Sequence, residues 1–231
     1  MKVEIWSDIV CPFCYIGKRK FENALNAFDK KEQVEIVWHS FQLDADMIPV
    51  KGQSVDQYLA TRKGVSLEKG KEMNDYMSGI AKEVGLEYNF DKAIVNNTMN
   101  AHRLLHLAKK EGVQNEVKEK LFAAYYTDGK DVGDTEILVQ VGESGGLNGE
   151  EIRTMLKSNE YLREVRIDQL RGEQLGVEGV PFFVFNNKYA VSGAQSAEVF
   201  TNVLEKVWQE EKPLVEVTTA AGFCTAHGVC N

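Results

Sequence analysis

The chain has 231 residues, a formal charge of −8 and 43% hydrophobic residues. That is enough for one large domain, or for a compact domain carrying an insertion, and no segment reaches the apolar length of a membrane span. The negative balance argues against non-specific nucleic-acid binding, which needs a basic surface.

The first residues, Met1-Lys2-Val3-Glu4-Ile5-Trp6, alternate like a strand with no apolar signal segment ahead of them. A cytoplasmic protein is therefore expected, in a compartment where disulfides are usually transient and catalytic. A helix is predicted to begin at the pair Cys11-Pro12-Phe13-Cys14, because proline fits a first helical turn. Ile16, Phe21, Leu25 and Phe28 then recur on one face. A second strand follows at 34–38, and this order favours a parallel pair with a right-handed crossover. From about 50 to 175 the pattern is helical throughout. Ser66 and Asp134 are placed to cap helices, while Gly85, Gly112 and Gly129 are placed to end them. The acidic and basic runs in this stretch read as solvated faces, and Met73 and Met77 read as core packing. Strands resume at "PFFVF" and "YAVSG", with Asn186-Asn187-Lys188 as a tight turn between them. Ser196 opens a last amphipathic helix, and a tail rich in small residues follows Pro213. The order is β-α-β, many helices, then β-β-α.

The four cysteines fall into two close pairs, Cys11/Cys14 and Cys224/Cys230. A cysteine at a helix N-terminus faces unpaired N–H groups and the positive end of the helix dipole, which favours its thiolate. Cys11 stands there and Cys14 lies one turn further in, giving an accessible nucleophile and a shielded partner. The same spacing also serves zinc sites, but a structural zinc site needs two more ligands and no second Cys-x-x-Cys exists. Redox chemistry is the leading reading, ahead of a metal half-site or inert core thiols. Cys224, His227 and Cys230 lie close enough to form a disulfide, to bind a soft metal, or to be incidental. Pro181 follows a glycine-bearing turn and precedes a strand. Base rates for such bonds favour trans, although the position also suits a cis bond.

Five stretches, "SDIVCPFCYIGK", "NTMNAH", "LFAAYYTDGKDVGD", "GVPFFVF" and "YAVSGAQ", together resemble the DsbA family of thioredoxin-fold oxidoreductases, and most closely its FrnE-like group. The resemblance runs over nearly the whole chain. It implies an α/β thioredoxin fold with a large all-helical insertion: first half 1–48, inserted helices 49–176, second half 177–212, and a C-terminal tail 213–231. It implies Cys11 as nucleophile, Cys14 as resolving thiol and Pro181 as a cis proline facing them. The backbone of Val180 is then free to pair with an extended substrate, as in β-augmentation. It also implies that the tail pair Cys224/Cys230 relays electrons or regulates the site. The Pro-Phe dipeptide departs from the Pro-His of periplasmic DsbA and the Pro-Trp frequent in FrnE-like relatives, and Phe13 has no hydrogen bond to give a thiolate.

The segment of His102 and Asn97 sits over the cleft in that family, so both are candidates for substrate binding with Phe13 and Val180. For His102 a packed, hydrogen-bonded histidine is the stronger alternative. His106 reads as structural, and His39 ends the second strand near the cleft. Asp8, three residues before Cys11, either raises the Cys11 thiol by like-charge repulsion or caps the turn. The expected activity is thiol–disulfide exchange with protein or peptide substrates. No organic cofactor and no metal are expected, and glutathione is a candidate electron partner. Two competitors stand beside it. One is a glutathione-dependent isomerase or kappa-type transferase, which characteristically carries serine at the nucleophile position. The other is a redox-sensing binding protein.

Overall fold

The computed structural model describes residues 1–211; Cys224, His227 and Cys230 lie outside the described residues. The elements run β1 (Lys2–Ser7), α1 (Pro12–Asn26) and β2 (Glu35–Ser40). Then come α2 (Val55–Lys63), α3 (Leu67–Glu83), α4 (Met99–Lys110), α5 (Gln114–Tyr126), α6 (Thr135–Ser144), α7 (Gly149–Lys157) and α8 (Leu162–Gln174). The chain closes with β3 (Phe182–Phe185), β4 (Tyr189–Ser192) and α9 (Ala197–Glu210).

The strands form one sheet in the order β2-β1-β3-β4. β1 runs parallel to β2, from Lys2 opposite Glu35 to Ser7 opposite Ser40, and antiparallel to β3. Because side chains alternate across a strand, Val3 and Ile5 face one side. There they meet Phe21 of α1, Phe28 just beyond its end, Phe183 and Phe185 of β3, and Phe200 and Leu204 of α9. Glu4 and Trp6 face the other side, where α8 lies. The Trp6 indole N–H donates to the Asp168 carbonyl at 2.9 Å. The β3–β4 turn has positive φ at Asn186 and Asn187, +49° and +54°, as the asparagine pair led us to expect. Ser66, Asp134 and Ser196 each accept backbone N–H bonds at the start of α3, α6 and α9. Among the described residues no helix is long and apolar enough to cross a membrane.

Helix α1 belongs to two cores. Its later half packs on the sheet, while Cys14, Tyr15 and Ile16 of its first half join a larger core built from the helices that follow β2. Tyr15 stacks on Phe122 of α5 with ring centroids 4.7 Å apart.

A buried polar clamp fixes α8 and α4 to the sheet. His39 lies between Glu4, at 2.9 Å from Nε2, and Asp168, at 2.6 Å from Nδ1, and its ring stacks on Trp6. Asp168 also accepts from the Ser40 backbone N–H at 2.9 Å and lies 3.2 Å from His106 Nε2. Arg171 of α8 reaches Glu4 at 2.8 Å. His39 therefore serves the fold on the Trp6 face of the sheet, and His106 is structural as expected. The expectation that charges in the helical stretch are solvated needs correction: Arg103 and Lys118 are buried. Arg103 is spent on four backbone carbonyls, of Met155, Leu156, Ser158 and Glu160. Sequence periodicity places such residues on a helix but does not show how many neighbours enclose it.

Candidate dithiol active site

Pro12 stands at the first position of α1 and Cys11 is its N-cap residue, in extended backbone. The first turn is closed by the Cys14 N–H donating to the Cys11 carbonyl at 3.0 Å. Both thiols are free. Cys14 is wholly buried and Cys11 is 4% exposed. Val180–Pro181 is a cis peptide bond, and the Cys11 thiol donates to the Val180 carbonyl at 3.3 Å. Phe13, between the cysteines in sequence, is 43% exposed and lines the same opening as Cys11. The structure thus brings together Cys11, Cys14, Phe13, Val180 and Pro181.

Gly17 makes the approach of α1 to that loop possible. A Cβ there would stand 2.9 Å from Pro181 Cγ and 3.4 Å from Ala194 Cβ. Gly17→Ala should gain up to about 1 kcal/mol in helix propensity but cost about 1–3 kcal/mol in overpacking. We expect a net loss of about 1–2 kcal/mol in urea denaturation, with slower thiol exchange. Unchanged or increased stability would show that the loop yields freely.

Asp8 is buried three residues before Cys11, and its carbonyl accepts the Cys11 N–H at 3.4 Å. Its carboxylate accepts from the Ile9 N–H at 2.8 Å, the Leu43 N–H at 2.8 Å and His102 Nε2 at 3.1 Å. Burial pulls the Asp8 carboxyl up, but His102, the Leu43 N–H and the nearby Lys118 charge together hold it below its usual value. His102 goes down, because burial disfavours its charged form. The pair is therefore an Asp8 carboxylate facing a neutral imidazole that donates from Nε2. His102 is a packed, hydrogen-bonded histidine that holds Asp8, and it does not line the cleft.

The thiolate that a helix N-terminus favours meets stronger opposition here. The Cys14 side chain beside it, then burial, push the Cys11 thiol up; Asp8 adds to this, while the Cys14 backbone N–H acts the other way. Its side chain also accepts the Ile9 N–H of the same turn, so the charge and the turn contact considered for Asp8 stand side by side.

Cys11, Phe13 and Val180 open onto a cleft of about 610 Å³, within the range of small-ligand sites. Its far wall is the α2–α3 pair, with Tyr58, Met73 and Met77, and Phe90 and Tyr125 also line it. The methionines read as core from their spacing are thus cleft residues as well. Helical periodicity identifies an apolar face, but not whether protein or substrate covers it. At the rim, Arg62 bonds Asp44 and donates to the Leu43 carbonyl at 2.7 Å. Asn97 is not among the cleft residues. Its amide donates to the Ala45 and Met47 carbonyls at 3.1 Å each and accepts from Gln42, so it pins the 42–47 loop. A partly exposed asparagine of that kind carries no sequence signal separating the two roles.

Residues 2–205 match the model of the DSBA-like thioredoxin domain. A probable DsbA oxidoreductase from Streptomyces coelicolor, SCO1869, is 40% identical, with a TM-score of 0.85 over 100% of this chain and 98% of that one. The Bacillus subtilis protein YwbO is 27% identical over 87% of this chain and 94% of its own. The cytosolic disulfide reductase DsbM of Pseudomonas aeruginosa, solved with GSH, shares the fold at 16% identity, with a TM-score of 0.65 over 90% of this chain and all of that one. With its thioredoxin-like sheet, its helices and its Cys-x-x-Cys at the head of α1, the chain belongs to the DsbA-like thioredoxin family.

Proposed function

We propose that the protein is a cytoplasmic thiol–disulfide oxidoreductase in which Cys11 is the nucleophile and Cys14 the resolving thiol. The observation that carries this is the placement of the two thiols. Cys11 lies on the floor of the cleft against Val180, and Cys14 is sealed one turn behind it. The Cys11 thiolate attacks a substrate disulfide, forming a Cys11–substrate disulfide and releasing one substrate thiolate. Cys14 then attacks Cys11 Sγ, closing the internal disulfide and releasing the second. The substrate gains two electrons and the dithiol loses them.

The 4% exposure of Cys11 favours a substrate that enters the cleft over a disulfide inside a folded protein. The substrate in this reading is a small disulfide or an extended peptide segment whose apolar part fills the cleft. The upward push on Cys11 supports a mild potential, since a strong oxidant needs a stabilised reduced form. Glutathione is the proposed electron partner, and Cys224/Cys230 a proposed relay or regulatory pair. A glutathione-dependent isomerase reading draws support from the cleft, whose size suits a small ligand.

The test is equilibrium oxidation of the Cys224→Ser/Cys230→Ser variant in graded glutathione buffers, followed by alkylation and mass spectrometry. A two-electron transition to an internal disulfide is expected, with a midpoint near the cytosolic range rather than that of a strong oxidant. A stable glutathione adduct on Cys11 that Cys14 never displaces would transfer the case to the isomerase reading.

A further inference from the structure

One hydrogen bond joins the inserted helical region to the cysteine motif itself. Tyr88 lies buried in the segment between α3 and α4, and its hydroxyl donates to the Pro12 carbonyl at 2.7 Å. Pro12 is the first residue of α1, directly after Cys11. Among the described residues no other side chain from outside the motif bonds to the backbone of residues 11–14.

The hydroxyl reaches the motif from a fixed base. The Tyr88 ring stacks on Tyr126 of α5 with centroids 4.2 Å apart, and on Tyr15 at 6.2 Å. The chain around it is tied to the end of α5. The Asn89 N–H donates to the Tyr126 carbonyl at 2.7 Å, and the Thr127 hydroxyl donates to the Glu87 carbonyl at 2.9 Å. Phe90, two residues on, meets the Tyr88 ring edge-on at 5.6 Å and lines the cleft.

The bonded carbonyl belongs to the Pro12–Phe13 peptide, the middle one of the three that separate the Cα atoms of Cys11 and Cys14. Each peptide group is a rigid plane, so holding the middle one fixes how the two side chains point at each other. We propose that Tyr88 is a positioning residue for the resolving step: its hydroxyl holds that peptide so that Cys14 Sγ stays aligned on Cys11 Sγ. In that step the Cys14 thiolate attacks, the Cys14–Cys11 bond forms and the bond from Cys11 to the substrate sulfur breaks. The substrate sulfur leaves with the electron pair. Tyr88 exchanges no proton. Burial, then the charges of Cys11, Cys14 and Tyr15, push its hydroxyl up against the Ile16 N–H, so it stays a donor throughout the neutral range.

The same ring cluster supplies a control. Tyr126 is wholly buried, yet among the described residues its hydroxyl has no hydrogen-bond partner. Tyr88→Phe and Tyr126→Phe therefore make one chemical change in one cluster, and only the first releases the motif.

This inference rests on the dithiol reading, and the experiment separates the two. In the Cys224→Ser/Cys230→Ser background, the reduced protein is mixed with oxidised glutathione, quenched by alkylation over time and weighed, from pH 6 to 9. Both variants are compared with the parent, folding being checked by circular dichroism. Loss of one neutral hydrogen bond corresponds to about a 2- to 10-fold change in a rate, and misalignment of reacting groups adds to it. Tyr88→Phe should therefore form the Cys11 adduct at the parent's rate but convert it to the internal disulfide about 3- to 10-fold more slowly. The factor should be the same across the pH range, because alignment does not titrate. Tyr126→Phe should match the parent in both steps. Conversion by Tyr88→Phe at the parent's rate would overturn the proposal and leave the bond a matter of stability alone. Equal slowing of both steps, equal slowing in the two variants, or a factor that varies with pH would also overturn it. Failure of the parent itself to convert would overturn the dithiol reading, and this inference with it.

Discussion

Cys14→Ser should trap the protein after its first step. Cys11 can still open a disulfide, but the mixed disulfide then has no internal thiol to displace it. Cys14 is held one helical turn away by the 3.0 Å bond from its own N–H to the Cys11 carbonyl, so its attack is intramolecular. Well-oriented intramolecular groups act at effective concentrations of about 10⁵ M or more, whereas free thiols reach Cys11 only from solution and through the cleft. Even allowing for imperfect alignment, turnover of a small disulfide with glutathione should fall at least about a thousandfold. A Cys11 adduct should accumulate to one equivalent by mass. Turnover within tenfold of the parent would show that Cys14 does not resolve, and that the chemistry needs Cys11 and glutathione alone.

Asp168→Ala should produce the largest loss of stability outside the apolar cores. The substitution removes the partner of His39 Nδ1, His106 Nε2 and the Ser40 N–H together. Removing one side of a buried, hydrogen-bonded charge pair typically costs about 3–5 kcal/mol, because the groups left behind are unpaired. Urea denaturation followed by fluorescence suits the test, since Trp6 stacks on His39 within the same clamp. A loss under about 1 kcal/mol would mean that water replaces the carboxylate without difficulty.

The clamp also sets the acid limit of the fold. Burial alone would raise Glu4, but Arg171, Lys2 and His39 outweigh it and bring Glu4 from 4.5 down to about 2. Asp168 is likewise held below the carboxylate range by His106, His39 and the Ser40 N–H, against the upward pull of burial. A depressed carboxylate stabilises the fold above its unfolded value and loses that contribution as it protonates. Stability should therefore fall steeply from about pH 4.5 toward pH 2. In Asp168→Ala that acid limb should be shallower.

Several features were legible from local chemistry alone. The order of strands and helices, the Asn186-Asn187 turn and the caps Ser66, Asp134 and Ser196 depend on neighbours a few residues away. Cys11 and Cys14 needed only their spacing and the helix that follows, and the cis Val180–Pro181 bond came through family resemblance. What stayed hidden depends on distant partners. Glu4, His39 and Asp168 are far apart in the chain, and none of them alone signals a clamp. Lys118 sits in a run of charges that reads as solvent-facing, and only the packing of α5 against β2 and the Tyr15 end of α1 buries it. Asn97 and His102 lie in the segment expected over the cleft, yet both hold loops rather than line the cavity.

The shared position of α1 between two cores has a consequence for how such a protein diverges. The reacting sulfurs are anchored by the sheet and by α5, whereas the wall opposite Cys11 comes from α2 and α3, a stretch between residues 55 and 83. Selectivity and reactivity are thus inherited through different segments. On the proposed reading, replacing side chains such as Tyr58 or Met73 should change which molecules fit while leaving the dithiol in place.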